Sequence, residues 1–259
     1  MISNDKKITL ITGANSGISF ALTQHLLADA SNIVLLGARS LSKGENAVSD
    51  LKTQNLPGTI ELVQIDVTSE ASVSRAATDV SLRFGRLDAL VNNAGIAGAY
   101  SSTGADVPDG QTLSEQLIAC FTTNTVGPAI TVHYFAPLLS VSPHVARIVN
   151  VSSGAGSISL RADHANPHQA MKVVPYRVSK AALHMVTACQ CFEYREKRWR
   201  VFNFCPGFTE SNLGLMNTIA NGAKPASEGA RPVLAILRGD RDVESGGFLN
   251  STEKRTWPW

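Results

Sequence analysis

The chain has 259 residues, 44% of them hydrophobic, and 23 Lys and Arg against 21 Asp and Glu give a net charge of +2. A balance this close to neutral excludes a strong electrostatic field for nucleic acid or an acidic membrane as the main partner. No apolar run approaches the ~20 residues that span a bilayer, and the opening MISNDKK lacks the apolar core of a secretory signal, so a cytoplasmic protein is expected.

ITLIT (8–12) reads as the first strand, and TGANSGIS (12–19) turns it into a helix over 18–30. Gly13 allows a sharp turn after the strand. Gly17 removes a side chain where phosphate oxygens would approach the backbone. The helix start then offers free N–H groups and a positive dipole end. Ser19 stands where the usual fingerprint has a third glycine that packs helix on strand. NIVLLGA (32–38) is the second strand, and Arg39 and Ser40 follow it. An acid there would hold the ribose 2′-hydroxyl of NAD. Arg39 instead places a guanidinium where a 2′-phosphate would lie, which favours NADPH over NADH if a dinucleotide binds here. An arginine on a solvated loop is the plain alternative.

The next helix, 42–54, is expected to start from Ser42 with Glu45 closing a capping box. IELVQIDV (60–67) ends in Asp66 and Val67. Asp66 either accepts from an adenine amino group or caps the helix over 69–84. LDALVNNA (87–94) ends at Asn93, and Gly95 follows; these small residues would let a cofactor lie against the backbone. Asn124, in TTNTVGP, is expected to open the helix that follows. ARIVNVSS (146–153) ends in Ser152 and Ser153, RVFNFCPG (200–207) ends in Pro206 and Gly207, and GGFLN (246–250) is the last strand.

Seven β-branched runs, most of them apolar on both faces, alternate with helical stretches. That pattern predicts an α/β fold: a doubly wound, Rossmann-type parallel sheet of about seven strands with helices on both faces. Residues 1–259 are expected to form a single dinucleotide-binding domain. Loops at 97–110, 154–175 and 208–227 follow strands and would wall a substrate pocket. They carry Tyr100, Leu160, Met171, Phe208, Leu213, Leu215 and Met216, which suits a moderately large apolar carbonyl compound such as a secondary metabolite.

Tyr176 and Lys180, in PYRVSKAALHMV, are four apart and would share one helix face, with Pro175 in its first turn. A cation beside a phenol favours the phenolate and lowers its pKa from about 10. Such a pair on its own is common on surface helices. It gains specificity from Asn124, Ser153 and the Pro206–Gly207 turn, all at strand ends or helix starts in one chain.

These motifs together, TGANSGIS, NNAG, Asn124, VNVSS, YRVSK and CPG, resemble the short-chain dehydrogenase/reductase family between Lys7 and Phe248. LLGARSLSKGENAVSDLK and GGFLNSTEKRTW resemble its carbonyl-reductase branch. The resemblance implies NADPH-dependent reduction of a ketone or aldehyde. It makes Tyr176 the proton donor, and has Lys180 lower the tyrosine pKa and bind the nicotinamide ribose. Ser153 would orient the carbonyl and Asn124 would support a water relay. It also implies cofactor contacts from Gly13, Ser16, Gly17, Ile18, Arg39, Asp66, Val67, Asn93, Gly95, Tyr176, Lys180, Pro206, Gly207, Thr209 and Ser211, with Ser211 keeping a hydroxyl for the carboxamide. Two features depart from the family. Ser19 replaces the third glycine, and Ser19→Gly is expected to leave NADPH affinity within about tenfold, or ~1.4 kcal/mol. The stretch between Ser153 and Tyr176 is longer than usual and falls where a common family dimer forms, so monomer, dimer and tetramer stay open. Alcohol oxidation with NADP+, a non-redox reaction on the same fold, or a non-catalytic NADP(H) sensor are alternatives that fold alone does not separate. A decayed sensor should have lost some of Asn124, Ser153, Tyr176 and Lys180, and all four are present.

Cys120, Cys189, Cys191 and Cys205 form no CxxC pair and read as reduced, mostly buried thiols. His164 and His168 are four apart, but the intervening Asn166–Pro167 argues against a shared helix face, so no metal is expected. FEYREKRW (192–199) reads as a solvated helix end rather than a nucleic-acid patch.

Overall fold

The computed structural model describes residues 3–98, 111–163, 165, 173–214, 216–251 and 256–259. Seven strands form one sheet: β1 (Lys7–Thr12), β2 (Asn32–Ala38), β3 (Thr59–Gln64), β4 (Ala89–Asn92), β5 (Arg147–Val151), β6 (Arg200–Cys205) and β7 (Phe248–Asn250). Their order is β3-β2-β1-β4-β5-β6-β7, and every pairing is parallel. The chain therefore winds outward twice from β1, and the crevice between β1 and β4 is where such sheets bind ligands.

The strands are apolar on both faces because both faces are covered. Ile8 and Leu10 of β1 and Ile33 and Leu35 of β2 pack with α3 (Glu70–Phe84) and α5 (Gly127–Ser140). Ile11, Val34 and Leu36 face the other way, onto α1 (Gly17–Leu27), α2 (Leu41–Lys52) and α8 (Ala226–Arg238). The remaining helices are α4 (Leu113–Phe121), the short α6 (Ile158–Ala162) and α7 (Val174–Glu193). No helix among the described residues is long and apolar enough to cross a membrane.

Several local expectations are corrected. Helix α2 is capped by Ser40, whose Oγ accepts the Lys43 N–H at 3.4 Å, and Ser42 lies within the helix with its hydroxyl 3.1 Å from that of Ser40. Two serines two apart look alike locally; the path of the chain off β2 selects the first. The reciprocal capping box sits instead at α4, between Thr112 and Glu115. Ser69 caps α3 by accepting the Ser72 N–H, so Asp66 is not the cap. The aromatic residues of 192–199 are not all solvated. Tyr194 and Trp199 are buried and stacked, their centroids 4.3 Å apart, while the charged residues between them stay exposed. Cys120 and Cys205 are buried, Cys191 is half-buried, Cys189 is exposed, and all four are free thiols.

A row of asparagines crosses the central strands at one register, Asn92 beside Asn150 and Asn150 beside Asn203. Asn92 Nδ2 donates to Asn150 Oδ1 at 2.8 Å. Asn150 Nδ2 in turn donates to Thr187 Oγ1 and Gln190 Oε1 of α7, and Thr187 Oγ1 donates to Asn203 Oδ1 at 3.0 Å. This buried polar row ties α7 to the sheet through directional bonds, where its neighbours are held by apolar packing.

Candidate active site

A cleft of about 300 Å³ opens at the carboxyl ends of β1, β4 and β5. Its floor is the loop of residues 13–17. Gly13 and Gly17 have φ of +66° and +59°, which only glycine adopts without strain. A Cβ on Gly13 would lie 3.0 Å from Ala94 Cα. The loop is anchored by the Ala14 N–H on the Gly37 carbonyl at 2.9 Å, and Thr12 Oγ1 accepts the Asn93 and Ala94 N–H groups. Thr12 thus joins the first loop to the small-residue turn opposite, a role its position at the strand end alone did not reveal.

Ser19 does more than pack. It is fully buried, and its hydroxyl lies 2.7 Å from the Gly13 carbonyl and 3.1 Å from that of Ser16. The missing glycine is replaced by a stitch that holds the loop in its left-handed shape. Ser19→Ala removes a bond of about 1 kcal/mol. The loop should then cradle phosphate about fivefold less well, read as a rise in the NADPH dissociation constant, and Ser19→Gly should lose at least as much.

Ser16, Gly17 and Ile18 line the cleft beside the first turn of α1, and the Ser16 side chain caps nothing. Arg39 lines the same cleft, is exposed, and pairs with no acid among the described residues. Asp66 and Val67 form the adjoining wall, with Asp66 Oδ1 accepting from the Thr68 backbone and hydroxyl. Asn93 and Gly95 form the opposite wall. A Cβ on Gly95 would approach Asn124 Oδ1 to 3.1 Å and Lys180 Nζ to 3.7 Å, so glycine there leaves room for those two side chains against the wall. These bare glycines, the helix start and Arg39 suit a phosphate-bearing dinucleotide.

Tyr176 and Lys180 share one face of α7 and both line the cleft, with Lys180 Nζ 5.7 Å from the Tyr176 ring centroid. Pro175 lies in the first turn. Lys180 is buried and donates to the Val151 carbonyl at 2.8 Å. Burial pulls its pKa down to about 8, against the upward pull of Cys205 and Cys120 nearby. Asn124 does not open a helix. It lies within a π-helical turn, Thr122–Val126, that joins α4 to α5. Its side chain accepts the Ile96 N–H at 2.9 Å and donates to the Ile96 carbonyl and to Ser179 Oγ. Those bonds reach the opposite wall and the tyrosine helix at once.

Pro206 and Ser211 line the cleft; Gly207 and Ser153 stand beside it without lining it. Ser153 Oγ accepts the Ala155 N–H at 3.2 Å. Thr209 is buried, with its hydroxyl on the Pro206 and Gly207 carbonyls, so it shapes the loop and does not reach the cleft. Leu213 lines the cleft and packs with Tyr176 and Val173. Phe208 and Met216 are exposed. Tyr100, His164, His168, Met171 and Leu215 lie outside the described residues. No cluster of three metal-ligating side chains occurs among the described residues.

The sequence marks Ser152 only as a strand-end neighbour of Ser153 and gives no sign of its partner, His184. Ser152 lines the cleft, and its Oγ is 2.8 Å from His184 Nε2 one turn beyond Lys180. Burial, then the Lys180 charge, pulls the His184 pKa down from 6.5 to about 4. The unfolded chain therefore binds the extra proton first as pH falls, and stability drops between about 6.5 and 4. At pH 5 the fold should lose about 2 kcal/mol relative to pH 7 from this group. Urea midpoints at the two pH values check it, and a His184→Gln variant should show a correspondingly shallower acid slope.

The family described as short chain dehydrogenase matches residues 7–218. The chain belongs to the short-chain dehydrogenase family. This dehydrogenase is 36% identical to the short-chain dehydrogenase anuI of Penicillium roqueforti, over 98% of this chain and 97% of the relative. It is 32% identical to the short-chain dehydrogenase/reductase tropE of Talaromyces stipitatus, over 96% and 97%. An NADPH-bound carbonyl reductase from chicken fatty liver superposes with a TM-score of 0.81 at 31% identity, over 98% of this chain and 99% of that one. The short-chain dehydrogenases are oxidoreductases that use NAD(H) or NADP(H), and this one shares the carbonyl-reductase-like fold.

Proposed function

We propose that this dehydrogenase reduces a ketone or aldehyde to an alcohol with NADPH, as a single dinucleotide-binding domain. The observation that carries the reading is one cleft holding both the glycine cradle with Arg39 and the Tyr176–Lys180 face of α7. The likeness to an NADPH-bound carbonyl reductase supports it. Gly13, Ser16, Gly17 and Ile18 would hold the phosphates, Arg39 the 2′-phosphate, Asp66 and Val67 the adenine. Asn93, Gly95, Pro206, Gly207 and Ser211 would border the nicotinamide half. When bound, NADPH supplies the hydride.

The chain's own residues handle the oxygen. Ser153 accepts from the Ala155 amide, which leaves its hydroxyl proton to donate to a substrate carbonyl. Tyr176 delivers its phenolic proton to that oxygen as negative charge develops there. The Lys180 ammonium stabilises the charge left on the tyrosine. Asn124 fixes the wall at Ile96 against α7, holding the two sides of the cleft at one separation. Leu213 packs on Tyr176 and gives the substrate side an apolar surface, suited to a moderately large apolar carbonyl compound.

The test is oxidation of NADPH, followed at 340 nm, against a panel of aliphatic, aromatic and polycyclic carbonyls, with the matching alcohols and NADP+ run in reverse. Steady turnover on a carbonyl supports the reading. Tight NADPH binding with no turnover in either direction would favour a sensor instead.

A further inference from the structure

The turn that carries Ser153 is clasped from outside by a segment distant in sequence. Residues 152–157 leave β5, and Gly156 presses on the α7 backbone, where a Cβ would come 2.6 Å from the Lys180 carbonyl carbon. The Gly154 N–H rests on Cys205 Sγ. The outer side of the turn is covered by residues 256–259. Thr256 bridges antiparallel to Leu249, and the Trp257 N–H donates to the Phe248 carbonyl, so the segment is laid along β7. Ser157 Oγ then donates to the Pro258 carbonyl at 2.7 Å, and the Ser159 N–H donates to the Trp259 carbonyl at 2.9 Å.

Aromatic packing fixes the clasp further. Trp257 meets Phe248 edge-on at 5.6 Å, and Trp259 stacks on Phe248 at 5.9 Å. Trp259 also meets the His184 ring at 5.3 Å, and His184 holds the Ser152 hydroxyl. A Cβ on Gly154 would come 2.3 Å from Trp257 Cζ3, so the indole lies directly against the backbone next to Ser153. None of Trp257, Pro258 and Trp259 lines the cleft.

We infer that Trp257 and Trp259 are positioning residues for Ser153: the clasp presses the serine turn against α7 and sets the Ser153 hydroxyl relative to Tyr176. The inference rests on the reductase reading for the role of Ser153, and on the contacts alone for the clasp. A displacement of the serine by about 1 Å is enough to cost on the order of a hundredfold in rate.

The test compares Trp257→Ala, Trp257→Phe, Gly154→Ala and the Gly154→Ala/Trp257→Ala double variant with the unaltered chain. Three quantities are read: NADPH dissociation constant, kcat and KM on a carbonyl that the unaltered chain reduces, and amide hydrogen exchange over residues 152–157. Trp257→Ala should speed exchange in that turn and lower kcat by about tenfold to a hundredfold. NADPH affinity should stay within about twofold. Phenylalanine at 257 should restore much of kcat. Gly154→Ala should be harmful alone, because its methyl meets the indole, and should add little once the indole is gone. Faster exchange with unchanged kcat would overturn the inference, as would losses from the two single variants that simply multiply. If Trp257→Ala does not fold, Trp259→Ala takes its place, since Trp259 is 40% exposed, with a smaller kcat loss expected, and an unchanged kcat there overturns the inference too. An unaltered chain that turns over no carbonyl sinks the reductase reading and the positioning role with it, while faster exchange in the variants would still identify a purely structural clasp.

Discussion

Replacing Tyr176 with phenylalanine is expected to lower carbonyl reduction by about a thousandfold while NADPH affinity stays within about twofold. The change removes one oxygen from a side chain that is 6% exposed and packed among Ala97, Val173 and Leu213, so the cleft should keep its shape. What is lost is the proton for the nascent alkoxide, a contribution typically spanning two to four orders of magnitude. Rapid-mixing measurements would place the loss in the chemical step and equilibrium fluorescence would show the cofactor still bound. A phenylalanine variant with full activity sinks the reading. The neighbouring lysine adds a pH signature. The Lys180 ammonium loses its proton at about 8 in the free protein, so kcat/KM for reduction should decline as pH rises past that point.

Arg39→Asp is the second large expectation. Arg39 is exposed at the end of β2, lines the cleft and has no acidic partner among the described residues, so its charge is available to a ligand. Losing a charge-assisted contact with a 2′-phosphate costs about 2 kcal/mol, or roughly thirtyfold in NADPH affinity. The aspartate adds repulsion toward that phosphate and an acceptor for a free 2′-hydroxyl. The ratio of kcat/KM for NADPH to that for NADH should therefore fall by about a thousandfold and invert. Arg39→Ala should show the loss without the gain for NADH. Because the arginine is solvent-exposed, the KM for NADPH of the unaltered chain should also rise with salt. An unchanged cofactor ratio in Arg39→Asp would place the arginine on a merely solvated loop.

The architecture was legible because both faces of the sheet are covered, which writes long apolar runs into each strand, and because the turn from β1 into α1 needs glycine where φ is positive. Tyr176 and Lys180 were legible through helical spacing. Other features depend on contacts that local sequence does not encode. TTNTV carries no mark of a π-helical turn; that turn goes with the bonds of Asn124 to Ile96 and Ser179, far apart in the chain. Thr209 looks like a loop hydroxyl facing ligand, yet the turn after Pro206 folds it onto its own backbone. Ser19 reads as a lost glycine, and only the placement of the Gly13 carbonyl reveals the bond that replaces it. Trp199 sits in a charged stretch, but its ring finds Tyr194 and the core.

The asparagine row across β4, β5 and β6 sets the azimuth of α7. A helix held by apolar contacts alone tolerates small rotations, because dispersion forces depend weakly on angle. A one-residue slip would turn the helix by about 100° and slide it ~1.5 Å. It would also carry Thr187 and Gln190 away from Asn150, leaving further buried amide groups unpaired beside Asn92 Oδ1, Gln190 Nε2 and Asn203 Nδ2, which already lack a partner among the described residues. The row therefore acts like a key in a shaft: it forbids the neighbouring settings of the helix rather than adding much to its grip. Tyr176 and Lys180 lie on that same helix, between two and four turns away. Their aim into the cleft is thus indexed by residues outside the cleft, and Asn150→Leu, which leaves Asn92 Nδ2 and Gln190 Oε1 without their partner, should cost stability along with the alignment.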